Sequence, residues 1–251
     1  MPLRPLPALL CLLALAGCGS ATAGQLPPAA PLPAAPPPIA KPEGRLRPAG
    51  APLPDPGTAT AARRTFTVDR QANELRVQED GQEVRRLPTG LEPAAVAVAG
   101  KGTQVAVLSV RGRVLELFDA RSLRRIGRAN AGAGPARVAS NDDTYLYVTD
   151  AIGGSVLVFH TVPELTLVRR YGLPGGPWAI AHDPLRDRLW VTLAGANRVA
   201  ELSTGRRIRR LADHAALRQP SAVAVDEASG TISVTGQEQG VIQLLDPPRS
   251  R

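Results

Sequence analysis

The placement of apolar residues divides the chain into three parts. Ala8 to Leu15 form one short apolar run behind a single positive charge, Arg4. About eight apolar residues suit the hydrophobic region of an export signal and fall well short of the about 20 that a membrane-spanning helix needs. From Ala21 to Pro56 there is no apolar period. Pro and Ala dominate, with runs at Pro27-Pro28 and Pro36-Pro37-Pro38. Proline fixes φ and lacks an amide donor, so this stretch predicts a solvated, disordered polyproline linker. From about Thr65 to Pro248 the apolar residues return in short bursts separated by turn residues, the pattern of an all-β domain.

Those bursts repeat. A proline opens each unit at Pro93, Pro135, Pro177 and Pro220, at spacings of 42, 42 and 43 residues. Three residues on stands a branched aliphatic, Val96, Val138, Ile180 or Val223, and each is followed by alanine at Ala97, Ala139, Ala181 and Ala224. Turn clusters follow at Gly100-Lys101-Gly102, Asn141-Asp142-Asp143, Asp183-Pro184 and Asp226-Glu227, where side-chain hydrogen bonds and unusual backbone angles favour chain reversal. A second strand ends at Val107, Val148, Val191 and Val234. A third alternates, with Leu115/Leu117, Leu157/Phe159, Ala200/Leu202 and Ile242/Leu244 on one face and the polar Glu116, Glu201 and Gln243 on the other. A fourth covers Leu123 to Ile126, Leu167 to Tyr171 and Ile208 to Leu211. Four short strands per unit predict the blades of a β-propeller. Three candidate strands before Pro93 and three after Pro220 bring the expected total to about 18. That count predicts five blades, the first and last incomplete, with an exposed edge that recruits partners or further copies.

Two resemblances sharpen this reading. Tyr145-Leu146-Tyr147-Val148-Thr149-Asp150 through Gly154-Ser155-Val156-Leu157-Val158-Phe159, and Leu189-Trp190-Val191-Thr192 through Asn197-Arg198-Val199 to Leu202, resemble YVTN and NHL-type propeller repeats. That family serves as binding platforms, enzymes and assembly factors, so the resemblance implies architecture more than function. Leu15-Ala16-Gly17-Cys18 resembles the lipobox of bacterial lipoproteins, which implies a signal peptide over 1–17 and a diacylglycerol thioether on Cys18. The other reading of this segment is an ordinary secretory signal. Under the lipoprotein reading the mature chain keeps no free thiol, because Cys11 is removed with the signal. Residues 18–64 would then be a tether reaching on the order of 100 Å at about 3.1 Å per residue, and 65–248 the propeller. The expected place is the extracytoplasmic face of a membrane, periplasm or cell surface.

Composition changes the picture in one respect. The net charge is +8 and is carried by arginine, since Lys41 and Lys101 are the only lysines. The pairs Arg85-Arg86, Arg124-Arg125, Arg169-Arg170 and Arg209-Arg210 fall on the last strand of successive units. One reading is solubility and blocked edge pairing; the other is attraction to anionic lipid or wall polymer. Two Trp, three Tyr and three Phe are too few for a nucleic-acid stacking platform, and no nucleic-acid partner is expected. The three histidines, His160, His182 and His214, are scattered, and neither a nucleophile elbow nor a phosphate loop occurs. Catalytic residues, metal and cofactor are therefore expected to be none. Trp178, Asp150 and His182 are the candidates for contact with a ligand at the channel mouth. The expected function is a lipid-anchored binding or scaffolding module with a protein partner. The rival is a metal-dependent hydrolase, lactonase or lyase of the propeller type.

Overall fold

Proline fits a strand at its first residue, where the missing amide breaks no ladder bond. The computed structural model describes residues 26–238 and 240–246, and in it strands begin at Pro93, Pro135 and Pro177 and just beyond Pro220. The signal segment 1–17 and Cys18 lie outside the described residues. Among the described residues, twenty strands form five four-stranded antiparallel sheets, with one short 3-10 turn at Ala194–Ala196.

Blade 1 holds β2 (Thr58–Ala61), β3 (Arg64–Asp69), β4 (Glu74–Glu79) and β5 (Gln82–Pro88). Blade 2 holds β6 (Pro93–Ala99), β7 (Gln104–Ser109), β8 (Val114–Asp119) and β9 (Arg125–Asn130). Blade 3 holds β10 (Pro135–Ser140), β11 (Tyr145–Asp150), β12 (Ser155–His160) and β13 (Thr166–Gly172). Blade 4 holds β14 (Pro177–Asp183), β15 (Arg188–Leu193), β16 (Arg198–Ser203) and β17 (Arg210–Ala215). Blade 5 joins β18 (Ala222–Val225), β19 (Ile232–Thr235) and β20 (Val241–Leu245) to β1 (Arg45–Pro48), in the order β1-β20-β19-β18. Successive first strands lie side by side, β2 to β6 to β10 to β14 to β18, so they are innermost. The ladders slip at matching places, between Pro93/Ala95, Pro135/Val138 and Pro177/Ile180 on the inner strands, and again where the third strand meets the fourth. Such bulges increase twist, which a blade needs to stack on its neighbour.

Burial follows from how many neighbours a blade has. In the middle blades the second strands, Gln104–Ser109, Tyr145–Asp150 and Arg188–Leu193, are buried on both faces after their first residue. Their centres are correspondingly apolar, and the buried polar residues Ser109, Thr149, Asp150 and Thr192 come at their last two positions. In the terminal blades burial alternates: Glu74–Glu79 buries Leu75 and Val77 and leaves Arg76 and Gln78 turned away, and Ile232–Thr235 buries Ile232 and Val234. Among the described residues, buried apolar clusters join blade 1 to 2 through Phe66, Leu75 and Phe118, and 2 to 3 through Leu108, Leu115 and Phe159. Others join 3 to 4 through Tyr147, Val158 and Ile180, and 4 to 5 through Trp190, Ile232 and Leu245. None of these clusters joins blade 5 to blade 1. That junction is crossed by residues 49–57, where Leu53, Pro54 and Pro56 share a hollow with Ser221, Ala222 and Val223, and the Pro56 carbonyl accepts from the Val96 N–H at 2.7 Å.

The expectations for the two ends of the chain are corrected. The first and last blades are complete, because β2 and β1 come from the stretch read as linker. Both are short and almost devoid of large apolar side chains, so they contribute backbone pairing and leave no amphipathic signature. The expected boundary at residue 65 and the tether length fall with it. The missing donors of proline do not keep the segment solvated, because its carbonyls still accept: Asn197 Nδ2 donates to Pro36 O and Gln219 Nε2 to Pro33 O, both at 2.8 Å. The edge of β20, expected to be bare, is covered by β1, whose alternating Arg45 and Arg47 and terminal Pro48 blunt the new edge.

Closure depends on close backbone approach at Gly44, which has φ +73°; a Cβ there would stand 2.1 Å from the Leu244 carbonyl oxygen. Gly44→Ala is expected to cost about 2–4 kcal/mol, seen as a lower denaturant midpoint at unchanged slope.

Candidate functional site

In a blade whose strands alternate in direction, turns fall at two ends of the stack. The blade-to-blade linkers and the turns between second and third strands share one end, called here the linker end. The turns between first and second and between third and fourth strands share the other, the opposite end.

At the linker end buried polar side chains hold the linkers in place. Glu116, fully buried, accepts from the Gly90 N–H and from Arg125, both at 2.7 Å. Gln243 stands at the same ladder position in blade 5; its Oε1 accepts from the Leu217 N–H at 3.1 Å and its Nε2 donates to the carbonyls of Glu43 and Ala215. In blade 3 that position is Leu157, and Asp150 does the work instead. Its Oδ1 accepts from Gly134 N–H at 2.7 Å and Gly153 N–H at 2.9 Å, and its Oδ2 from Ala133 N–H and Arg170, both at 3.1 Å. Asp150 is thus committed to the linker, with no exposed surface.

Trp178 and His182 belong to one strand, β14, and lie toward opposite ends of the axis. Trp178 is half-buried at the linker end, with the Arg137 guanidinium 5.8 Å from its ring centroid. The two side chains line a cavity of about 290 Å³ together with Arg70, Val110, Pro135 and Ala136, roofed by Ala29, Ala30 and Leu32 of the Pro-rich segment. Burial holds the Arg137 guanidinium below its usual value, and the like charge of Arg70 adds to this while Asp55 opposes it. His182 lines a hollow of about 590 Å³ at the opposite end, with Asn141, Asp142, Asp187 and Glu227, and its Nε2 lies 3.4 Å from Asp187 Oδ1. Among the described residues no group of three His, Cys, Asp or Glu is arranged to hold a metal ion. The three ligand-contact candidates are therefore not brought together.

The arginine pairs are all exposed; two lie within the outermost strands, while Arg124 and Arg209 stand one residue before β9 and β17, and each pair divides its labour. Arg86 pairs with Glu83 and Glu74, Arg125 with Glu116, Arg170 with Asp150 and Arg210 with Asp213. Arg85, Arg124, Arg169 and Arg209 are exposed and make no ion pair among the described residues. Arg45 of β1, which no repeat spacing revealed, pairs with Asp246 on the exposed surface of blade 5. Tyrosines tie blade 3 to blade 4: Tyr147 Oη accepts from the Gly205 N–H at 2.7 Å and Tyr171 Oη from the Arg210 N–H at 3.1 Å, and burial pushes the Tyr147 phenol up.

No protein-family model matches the chain, and no curated protein matches it significantly. Among solved structures it is similar to a functionally unknown protein from Desulfotomaculum acetoxidans, with a TM-score of 0.69 at 12% identity. It is similar to virginiamycin B lyase from Staphylococcus aureus, TM-score 0.60 at 19% identity, and to dihydro-heme d1 dehydrogenase NirN, 0.61 at 18%. These likenesses cover 76%, 79% and 79% of this chain, which spans 65%, 69% and 46% of theirs. At such identities they establish the fold, a β-propeller.

Asp150→Ala is expected to cost about 2–4 kcal/mol, because it strands the N–H groups of Gly134, Gly153 and Ala133, and Asp150→Asn less; equilibrium unfolding measures both. Acid should weaken the turns as well. Asp69, Asp119 and Asp226 each accept the backbone N–H groups two and three residues on, at 2.6–3.1 Å, which holds their carboxyls below the usual range. A folded value below the unfolded one adds stability above the ordinary carboxylate range and loses it as pH falls through the folded value. Urea midpoints measured from neutral to acid should stay level and then drop below about pH 4.

Proposed function

We propose that the chain is a lipid-anchored, extracytoplasmic propeller that acts as a binding or scaffolding module at the cell envelope, presenting the end away from its anchor. The observation that supports this is the path of the Pro-rich segment. It crosses the linker end, where Ala29 to Leu32 roof the Trp178 cavity, and Pro33 and Pro36 are bonded to Gln219 and Asn197. If Cys18 carries the lipid, the eight residues to Leu26 span at most about 28 Å. The linker end then faces the bilayer at short range, and its arginines meet anionic headgroups.

The opposite end is left free. Its hollow is rimmed by Asp142, Asp187 and Glu227 around His182, with Pro184 and Val98 supplying apolar surface. A polar recess rimmed by three carboxylates suits a basic segment of a protein partner, whose charges would steer the encounter.

In-cell photocrosslinking tests this orientation. A crosslinker at Asp142 or Glu227 should trap a defined protein, one at Arg113 on the linker end should trap lipid, and Cys18→Ser should release the chain from the membrane fraction. Protein adducts confined to Arg113, or unchanged membrane retention of the Cys18 variant, would refute the reading.

A further inference from the structure

We propose that the cavity at the linker end is a binding site for a small oxyanion-bearing molecule, its phosphate or carboxylate group held between Arg137 and Arg70 and its body against Trp178. The site is distinct from the partner-binding hollow, and the inference does not depend on the lipid anchor.

The first support is a departure from the repeat. Two residues after the opening proline the other units carry Ala95, Ala179 and Ala222, and this unit carries Arg137. One residue after it the others carry Ala94, Ala136 and Ser221, and blade 4 carries Trp178. These inner-strand positions tolerate small residues everywhere else, so packing does not demand a guanidinium or an indole. Both departures fall on adjacent inner strands, β10 and β14, and face one cavity.

The second support is unbalanced charge. Arg137 is half-buried, and the hydrogen bond of its guanidinium goes to the neighbouring Ala136 carbonyl at 2.8 Å. Arg70 lines the same cavity, and Arg70 and Arg111 line an adjoining hollow of about 580 Å³ with Gln71, Asn73, Leu91 and Glu92. Among the described residues none of these three arginines has a carboxylate within ion-pair distance. Arg125 and Arg170, by contrast, reach the buried carboxylates of Glu116 and Asp150. Arg111 also has a buried Nε without a hydrogen-bond partner. Two guanidiniums converging in a partly enclosed space repel each other unless an anion bridges them, and their planar forks suit phosphate or carboxylate oxygens. The indole beside Arg137 offers a flat apolar wall, and its face already engages the cation. Ala29, Ala30 and Leu32 cover part of the cavity, which limits the water around the guanidiniums and strengthens each charged hydrogen bond.

The probe is inorganic phosphate titrated into the full chain against sodium chloride of matched ionic strength, followed by tryptophan fluorescence and calorimetry. The expected result is a saturable fluorescence change that chloride does not reproduce, absent in Trp178→Phe although calorimetry still detects binding there. Arg137→Gln and Arg70→Gln should each weaken binding at least about tenfold, while Arg85→Gln on the outer rim leaves it unchanged. Arg70 lies on an exposed turn, so its variant carries the test if Arg137→Gln unfolds. An identical response to chloride, or parental affinity in the Arg70 variant, would overturn the proposal. Binding to phosphatidylglycerol vesicles with no response to phosphate would also overturn it, by assigning the arginines to the membrane surface.

Discussion

A sheet with two apolar faces must be covered twice, and this requirement organises the molecule. Blades 2, 3 and 4 satisfy it by stacking on neighbours at both sides, which is why Tyr147 and Trp190 can be fully buried in the middle of strands. Burying a side chain of that size contributes about 2–3 kcal/mol, and each such residue belongs to one interface between two blades. Stability is therefore carried by nearest neighbours, as in a linear repeat array. The terminal blades obey the same rule in reverse. Thr65, Thr67, Arg76 and Gln78 on blade 1 and Ser233 and Arg45 on blade 5 sit on faces with no blade beyond them, and they are polar as an end cap must be.

What joins the ends is then backbone rather than core. β1 donates a strand to blade 5, and Glu43 just before it ties the arrangement to blade 4: its carboxylate meets the Ala215 N–H at 2.9 Å and His214 Nδ1 at 2.8 Å. Burial works against the Glu43 charge, and the hydrogen bonds and the His214 and Arg198 charges outweigh it, leaving the carboxyl below its usual range. The Pro-rich segment before it docks by the same logic. A chain that has acceptors but few donors can bind only where side chains donate, and Asn197 and Gln219 do so at the linker end.

The parts of this fold that were legible in the sequence are those where a side chain must be apolar. Val107, Val148, Val191 and Val234 mark the second strands because both faces of those strands, or one in blade 5, are buried. β1 and β2 were not legible, since Arg45–Pro48 and Thr58–Ala61 pair through amides and carbonyls that every residue possesses. Glu116 and Gln243 were visible as polar interruptions on a strand, yet spacing alone could not say that they face linker amides rather than water. Arg85-Arg86 and Arg169-Arg170 lie within fourth strands, whereas β9 and β17 begin only at Arg125 and Arg210, so spacing misplaced Arg124 and Arg209 by one residue.

The candidate site obeys a different logic from the scaffold, and this bears on how repeat proteins are read. Agreement among the units reports what stacking requires, so Val138 and Ala139 say nothing about ligand. Disagreement reports what stacking permits and something else requires. Arg137 and Trp178 are large or charged residues at positions where the other units hold Ala or Ser, and the Arg137 guanidinium carries a desolvation cost that the Ala136 carbonyl and the Trp178 ring offset only in part. A cost of that kind persists where a bound group offsets it. The two departures converge with Arg70 on one cavity although they arise from different units, and convergence in space of changes scattered in sequence is what a binding site adds to a repeated scaffold.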